Sequence, residues 1–308
     1  MLKRELASIL TFYGISPIHA GAGSSTSVVD LPIQRERHTN WPHIQASSVK
    51  GALRQHFRRF AENEVKDGRK AKEFINYIFG NDSDNDGNYP IKDSKEEKIS
   101  NSAGIISVSD AKLLAFPMRS NIAPFVHVTC PAVLKRLLDD LTFCGIKLTE
   151  AKIPNIPKEQ AAVIKSNGNI PNQILLEDLL LTKTGQESLG ELIDKYVAPI
   201  ENLLLVSDED FTYCVSFCTE IQTQIKIDTK TGTAKDGALR YQELLPANTL
   251  LYSVVYYSAS SFDTELQATT VKSTVENGIQ GFMQIGGDET LGRGICKIEW
   301  HSCNGQGA

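Results

Sequence analysis

An α+β fold around a ferredoxin-like core is predicted by the order of patterned segments along this 308-residue chain. Three observations carry it. A strand-like run at residues 5–15 leads to a helix-periodic run at 46–63, alternating runs lie between 211 and 257, and the chain closes with a helix and two short strands around a glycine-rich turn. Strand, helix, strands, helix, strand is compatible with a split βαβ arrangement. With 41% hydrophobic residues the chain can bury a sizeable core, and it reads as a single domain, 1–308, with core segments at about 1–80, 104–131 and 211–300.

The first strand is "ELASILTFYGI", rich in strand formers and ended by the breaker cluster "SPIHAGAG". After a long loop, "ASSVKGALRQHFRRFAEN" reads as a helix: Ser47 or Ser48 can cap it, and Val49, Leu53, Phe57 and Phe60 fall on one buried face. Lys50, Arg54 and Arg58 recur every fourth residue and form a stripe on another face. Residues 81–103 are a polar, turn-rich insertion, and "AGIISVSDAKLLAFPMRS" resumes apolar structure. The pattern at 132–206 is mostly helical, an inserted helical region. "FTYCVSFCTEIQTQIKI" at 211–227 alternates like a strand, "DTKTGTAKDGAL" supplies a turn-rich tip, and "RYQELLPANTLLYSVVYYS" returns, so a long β-hairpin arm is expected, its tip region at 228–243. A helix at 263–276 precedes the closing "GFMQIGGDETLGRGICKIEW".

Net charge is −5, which by itself argues against a general nucleic-acid binder. Its distribution argues otherwise. Residues 31–72 hold ten Lys/Arg against four Asp/Glu, a net of +6 that leaves −11 on the remainder, so one face is expected to be basic on an acidic body. Six cysteines without a C-x-x-C pairing read as reduced thiols, and zinc is not indicated. No apolar run reaches the length of a membrane span and the N-terminus lacks a signal-peptide pattern, so a cytoplasmic protein without membrane contact is expected.

Three short motifs are set aside. "DSDNDGNYPIKD" places Asp82, Asp84, Asp86, Gly87 and Asp93 at calcium-loop spacing, but the closing bidentate Glu is missing and Pro90 is awkward there. "SSVK", "SDN" and "KTG" occur in the order used by penicillin-binding serine enzymes, yet each is short enough to arise by chance and no export signal accompanies them. "GGDETLGRG" lacks the Lys-Ser/Thr of a phosphate-binding loop and the order of a dinucleotide fingerprint, so no nucleotide cofactor is expected.

What remains has a shared explanation. Glycines at 21, 23, 286, 287, 292 and 294 permit close backbone approach and expose N–H donors, while Lys50, Arg54, Arg58 and Arg293 supply charge. Backbone-tracking charge combined with shape is how single-stranded RNA is held. Any one of these glycines alone is an ordinary turn residue.

The stretch "SPIHAGAGSSTSVVDLPIQRERHTNWPHIQASSVKGALR" resembles the N-terminal signature of the RAMP superfamily of CRISPR proteins. With "SVSDAKLLAFPMRS", "VTCPAVLKRL", "TGTAKDGAL" and "QIGGDETLGRG" in this order, the chain is similar to the backbone ribonuclease subunits of type III-B effectors, the Cmr complexes. The resemblance runs from the start to near residue 300.

It implies an RNA-recognition-type palm with an inserted helical region and a thumb at about 228–243, assembled as a helical filament of copies on guide (CRISPR) RNA with other Cmr subunits. By position, Asp30 corresponds to a loop carboxylate needed for cutting target RNA and His19 to a histidine beside it. Lys50 and its helix, with Arg54 and Arg58, correspond to guide contacts, and Gly286, Gly287 and Arg293 belong to the loop facing guide backbone. RNA can be cut by its own 2′-OH when held in line, so a carboxylate on a mobile loop suffices, acting as a base or holding a divalent cation such as Mg or Mn. Two other readings stay open: a guide-coating scaffold that does not cut, and the related type III-A backbone subunit.

Overall fold

The computed structural model describes the chain apart from residues 1–5, 27, 61–64, 67–68, 71–73, 81–90, 93–97, 100–101, 147–152, 191–193, 265 and 304–308. The N-terminal apolar run forms β1 (Leu6–Gly14), buried at nearly every position because it lies in mid-sheet. A loop and the short β2 (His43–Ile44) lead to α1 (Ala46–Phe60), whose Val49, Leu53 and Phe57 are fully buried at the spacing the sequence displays. Asp110 Oδ1 accepts the Ala46 N–H at 2.7 Å, satisfying a donor at the helix start. Next come α2 (Ile75–Phe79), β3 (Ile106–Val108), β4 (Ala111–Met118), β5 (Val126–Thr129) and α3 (Pro131–Phe143). The calcium-like spacing, with Asp82, Asp84, Asp86, Gly87 and Asp93, lies outside the described residues.

Residues 132–206 are not mostly helical. After α3 they form β6 (Gln160–Lys165), β7 (Gln173–Leu176), β8 (Leu179–Gln186) and β9 (Leu203–Val206). Leucine, alanine and glutamine favour helix only weakly, and burial decides instead. Ala161, Ala162, Val163 and Ile164 are all buried in a strand flanked on both sides, while β7 alternates exposed and buried residues and joins β8 through the two-residue turn Glu177-Asp178, with Glu177 at φ 52°.

Residues 211–217 are not a strand either. They belong to α4 (Asp208–Phe217), because Ser207 caps it, its Oγ accepting the Asp210 N–H at 3.0 Å, and three acids fill the first turn. The arm follows: β10 (Glu220–Gln224) pairs antiparallel with β11 (Arg240–Leu244) in a sheet of their own. The chain ends with β12 (Leu250–Tyr257), α5 (Ala268–Gly278), β13 (Phe282–Gln284) and β14 (Ile295–Ser302).

One mixed sheet organises the fold, in the order β7-β8-β6-β9-β5-β4-β12-β1-β14-β13, with β2 beside β4 and β3 beside β12. The pairs β6–β8 and β9–β5 are parallel and the others antiparallel. Helices cover both faces. Tyr252 donates to Asp140 of α3 and Tyr257 to Glu276 of α5, and an odd separation along β12 turns the two side chains to opposite sides. Among the described residues no helix is long and apolar enough to cross a membrane, and all six cysteines are free thiols.

Candidate active site and nucleic-acid interface

Where β1 ends, the chain turns along the edge of the glycine-rich segment. Ile15 N–H donates to the Ile295 carbonyl at 2.7 Å, and Ile18 exchanges both backbone hydrogen bonds with Leu245 at 2.9 Å. His19 therefore arrives beside β11, where its Nδ1 lies 2.9 Å from the Glu243 carbonyl. A carbonyl only accepts, so Nδ1 carries the proton and Nε2 is left for other partners, turned toward Gly21. Gly287 donates its N–H to the His19 carbonyl at 2.9 Å. A Cβ on Gly286 would stand 2.5 Å from that same oxygen, and its φ of 87° also favours glycine, so the contact needs this residue type.

The loop out to Asp30 is exposed, with Val28 91% accessible. Its base is closed by Ala22 N–H to Pro32 O and by Ser25 N–H to Asp30 O, both 2.9 Å. Asp30 is held at β11: its Oδ2 accepts the Tyr241 N–H at 2.8 Å, and Leu31 pairs with the Tyr241 carbonyl and the Glu243 N–H at 3.1 and 3.0 Å. His19 and Asp30 thus hang on positions 243 and 241 of one strand, about 7 Å apart along it.

Glu243 fixes the arrangement. It is 7% exposed, and its carboxylate accepts from Ile33 N at 3.0 Å, Arg35 at 2.6 Å and the Thr219 hydroxyl at 2.8 Å. Arg35 Nη1 also donates to the Asn40 and Val215 carbonyls at 2.8 and 3.0 Å, so backbone acceptors support the pair from the guanidinium side. The arm's base is tied to the glycine-rich loop as well: Gln242 donates to Asp288 at 2.5 Å, and Arg293 donates to Gln222.

The structure brings Asp30, His19, Gly286, Gly287 and Arg293 to one face, but Lys50 and Arg54 lie elsewhere. The Lys50 ammonium donates to the Ile106 carbonyl at 3.1 Å, with its pKa lowered by burial and then by Arg54, and Arg54 donates to Asn76 at 3.2 Å. Arg58 is exposed on the last turn of α1, and its neighbour Arg59 pairs with Glu289 of the glycine-rich loop at 2.6 Å. Between them α1 and β13 enclose a cavity of about 220 Å³ lined by Gln55, His56, Arg59, Phe282, Gln284 and Glu289. Arg59 and Glu243 are site residues that the sequence reading did not single out.

Among the described residues, the donors around Asp30 do not make up a site for a resident divalent cation. Asp30 is a single carboxylate with one oxygen on a backbone N–H, and the described residues contain no group of three His, Cys, Asp or Glu placed to hold a metal.

Gly294 is the tightest point of the loop, at φ 71° with a Cβ that would meet the Ile285 carbonyl at 1.9 Å. Gly294→Ala is expected to destabilise the chain by about 1–3 kcal/mol, read from denaturant midpoints, because the strained φ and the clash act on the same residue. An unchanged midpoint would show that the loop opens without cost.

The pattern of the RAMP superfamily matches residues 11–297. The chain is 32% identical over 303 residues to the CRISPR system Cmr endoribonuclease Cmr4 of Pyrococcus furiosus, covering 95% of each chain. The crystal structure of oligomeric Cmr4 from Pyrococcus furiosus aligns with a TM-score of 0.69 at 27% identity, over 97% of this chain and 99% of that one. A cryo-EM structure of the type III-B Cmr-beta bound to cognate target RNA contains a chain that aligns with a TM-score of 0.73 at 21% identity over 96% of each, a likeness of fold.

Proposed function

Because the chain belongs to the RAMP superfamily and within it to the Cmr4 family, we propose that it is a guide-RNA-binding backbone subunit of a type III-B effector that cuts complementary target RNA. The observation that carries the cutting is the mounting of His19 and Asp30 on adjacent anchor points of β11, beside a loop whose glycines permit close backbone approach. Asp30 accepts the proton of the substrate 2′-OH as that oxygen attacks phosphorus. The P–O5′ bond breaks, and His19, acting in its imidazolium form with Nδ1–H kept on the Glu243 carbonyl, gives its Nε2 proton to the leaving oxygen and reverts to the neutral ring, which leaves a 2′,3′-cyclic phosphate and a 5′-OH. No step is assigned to a metal.

The strand order β14-β1-β12-β4, with α1 and α5 in the crossovers, supports reading this half of the sheet as a ferredoxin-like palm. The β10–β11 arm is then the thumb, and its anchors on Asp30 and Asp288 join it to the site. Guide RNA, target RNA, further copies of the chain and other Cmr subunits are the partners of this reading, in keeping with the oligomer and the target-bound complex of its relatives.

The reading is tested by reconstituting the complex with guide RNA and running end-labelled complementary RNA on a gel. Cuts at regular spacing with cyclic-phosphate ends are expected, whereas intact target under saturating binding would favour a coating scaffold. Guide contact is expected at the C-terminal end of α1. Arg58→Ala with Arg59→Ala should lower the slope of log K against log salt by about 1.4, the single-strand value for two phosphate contacts. An unchanged slope would place the guide elsewhere.

A further inference from the structure

None of the residues lining a second cavity, of about 300 Å³, belongs to the His19–Asp30 face. Its walls include Tyr13, Phe125, His127 and Pro199, with the polar side chains of Glu201 and Asn202 among them. The aromatic side chains are arranged together. Phe125 stands edge-on to His127 with ring centres 5.5 Å apart, Tyr13 lies 6.2 Å from the same imidazole, and Phe125 keeps 38% of its surface exposed. A volume near the lower end of small-molecule sites suits one planar group and little more.

The polar groups define which planar group. His127, only 3% exposed, has Nε2 2.9 Å from the Asn248 carbonyl, so Nε2 carries the proton and Nδ1 is an acceptor that makes no hydrogen bond among the described residues. Burial lowers the pKa of this imidazole, against the opposing pull of the Asn248 hydrogen bond, and so disfavours its charged form. Asn202 Oδ1 accepts the Asn167 N–H at 3.2 Å, which leaves its NH₂ as a donor without a partner among the described residues. Glu201 spends one acceptor site on the Asn167 amide at 3.0 Å, and the rest of its carboxylate remains available. Tyr13 gives its hydroxyl proton to Asn248 at 3.0 Å and contributes ring surface. The unspent set is therefore a carboxylate and an imidazole nitrogen that accept, and one amide that donates.

We propose that this cavity is a guanine-binding pocket, in which the base stacks on Phe125, presents its N1–H and N2 amino group to Glu201 and takes the Asn202 amide on O6. Guanine alone among the four bases offers two adjacent donors and an acceptor along its pairing edge. Adenine, cytosine and uracil each bring an acceptor opposite the carboxylate. A guanidinium from a protein would satisfy Glu201 and leave the Asn202 donor unused.

Titration of the full chain, free of guide RNA, with GMP, AMP, CMP, UMP and IMP by saturation-transfer NMR and calorimetry tests this. GMP is expected to bind at least about tenfold more tightly than AMP, with IMP weakened by loss of the N2 amino group. Glu201→Gln and Phe125→Ala should each cost about tenfold for GMP at unchanged melting temperature, the size of one good base contact. Equal binding of all five nucleotides, indifference to Glu201→Gln, or tighter binding of N-acetyl-arginine amide than of GMP would overturn it. An oligonucleotide with a single G that binds about tenfold better than GMP, and better than its A counterpart, identifies an RNA base as the source; parity with GMP identifies the free nucleotide. The chain is titrated without guide or target, so failure here leaves the cleavage reading untouched.

Discussion

Asp30→Asn is expected to reduce target-RNA cleavage by about 10²–10⁴-fold while guide loading and target binding stay at wild-type levels. The substitution is informative because of how Asp30 is held. An asparagine carbonyl can still accept the Tyr241 N–H that seats the side chain at 2.8 Å, so the loop keeps its anchor and only the charge and proton-accepting ability are lost. His19→Ala should act differently, since it also removes a hydrogen bond that joins the strand-end loop to Glu243. A smaller loss of rate with some loss of RNA placement is expected there. Rates under saturating target, with binding followed by filter retention, separate the two effects. Wild-type rates from Asp30→Asn would remove the carboxylate from the chemistry.

Glu243→Ala should damage both fold and activity. It strips the Arg35 guanidinium, 16% exposed, of its carboxylate partner and frees the Ile33 N–H and the Thr219 hydroxyl at the same time. Breaking a buried pair from one side costs about 3–5 kcal/mol, because the other charge stays buried without compensation. The loss should appear in denaturant midpoints. Combining Glu243→Ala with Arg35→Met should recover part of that stability but none of the cleavage, since the Asp30 loop would still lack its fixed base. Equal stability of the single and double variants would mean that the pair contributes nothing through its charge.

Much of the half of the sheet around β1 was legible in the sequence because local pattern and tertiary environment agree there. Val49, Leu53 and Phe57 repeat at helical spacing and are the residues α1 buries, and the glycine-rich turn between β13 and β14 falls where "GGDETLGRG" stands. The second half was misread where they disagree. Ala161 to Ile164 are compatible with helix by composition, and only their position between two strands of a sheet makes them extended. The alternation at 211–217 competed with the Ser207 cap and lost. Helical spacing correctly grouped Lys50, Arg54 and Arg58, but spacing does not reveal that Lys50 and Arg54 lean onto β3 and α2. Glu243 carried no local signal. Its role exists only because residues 31–35 return to β11, a pairing more than 200 positions distant along the chain.

The central claim is that this chain positions target RNA for attack by its own 2′-OH at the Asp30 loop. The most direct measurement uses end-labelled target strands carrying a single 2′-deoxynucleotide at one cutting position, incubated with the reconstituted wild-type complex. Loss of the cut at that position alone is predicted, with the neighbouring cuts and target affinity unchanged. Undiminished cutting at the deoxy position would contradict the account, because the nucleophile would then have to be something other than the substrate hydroxyl.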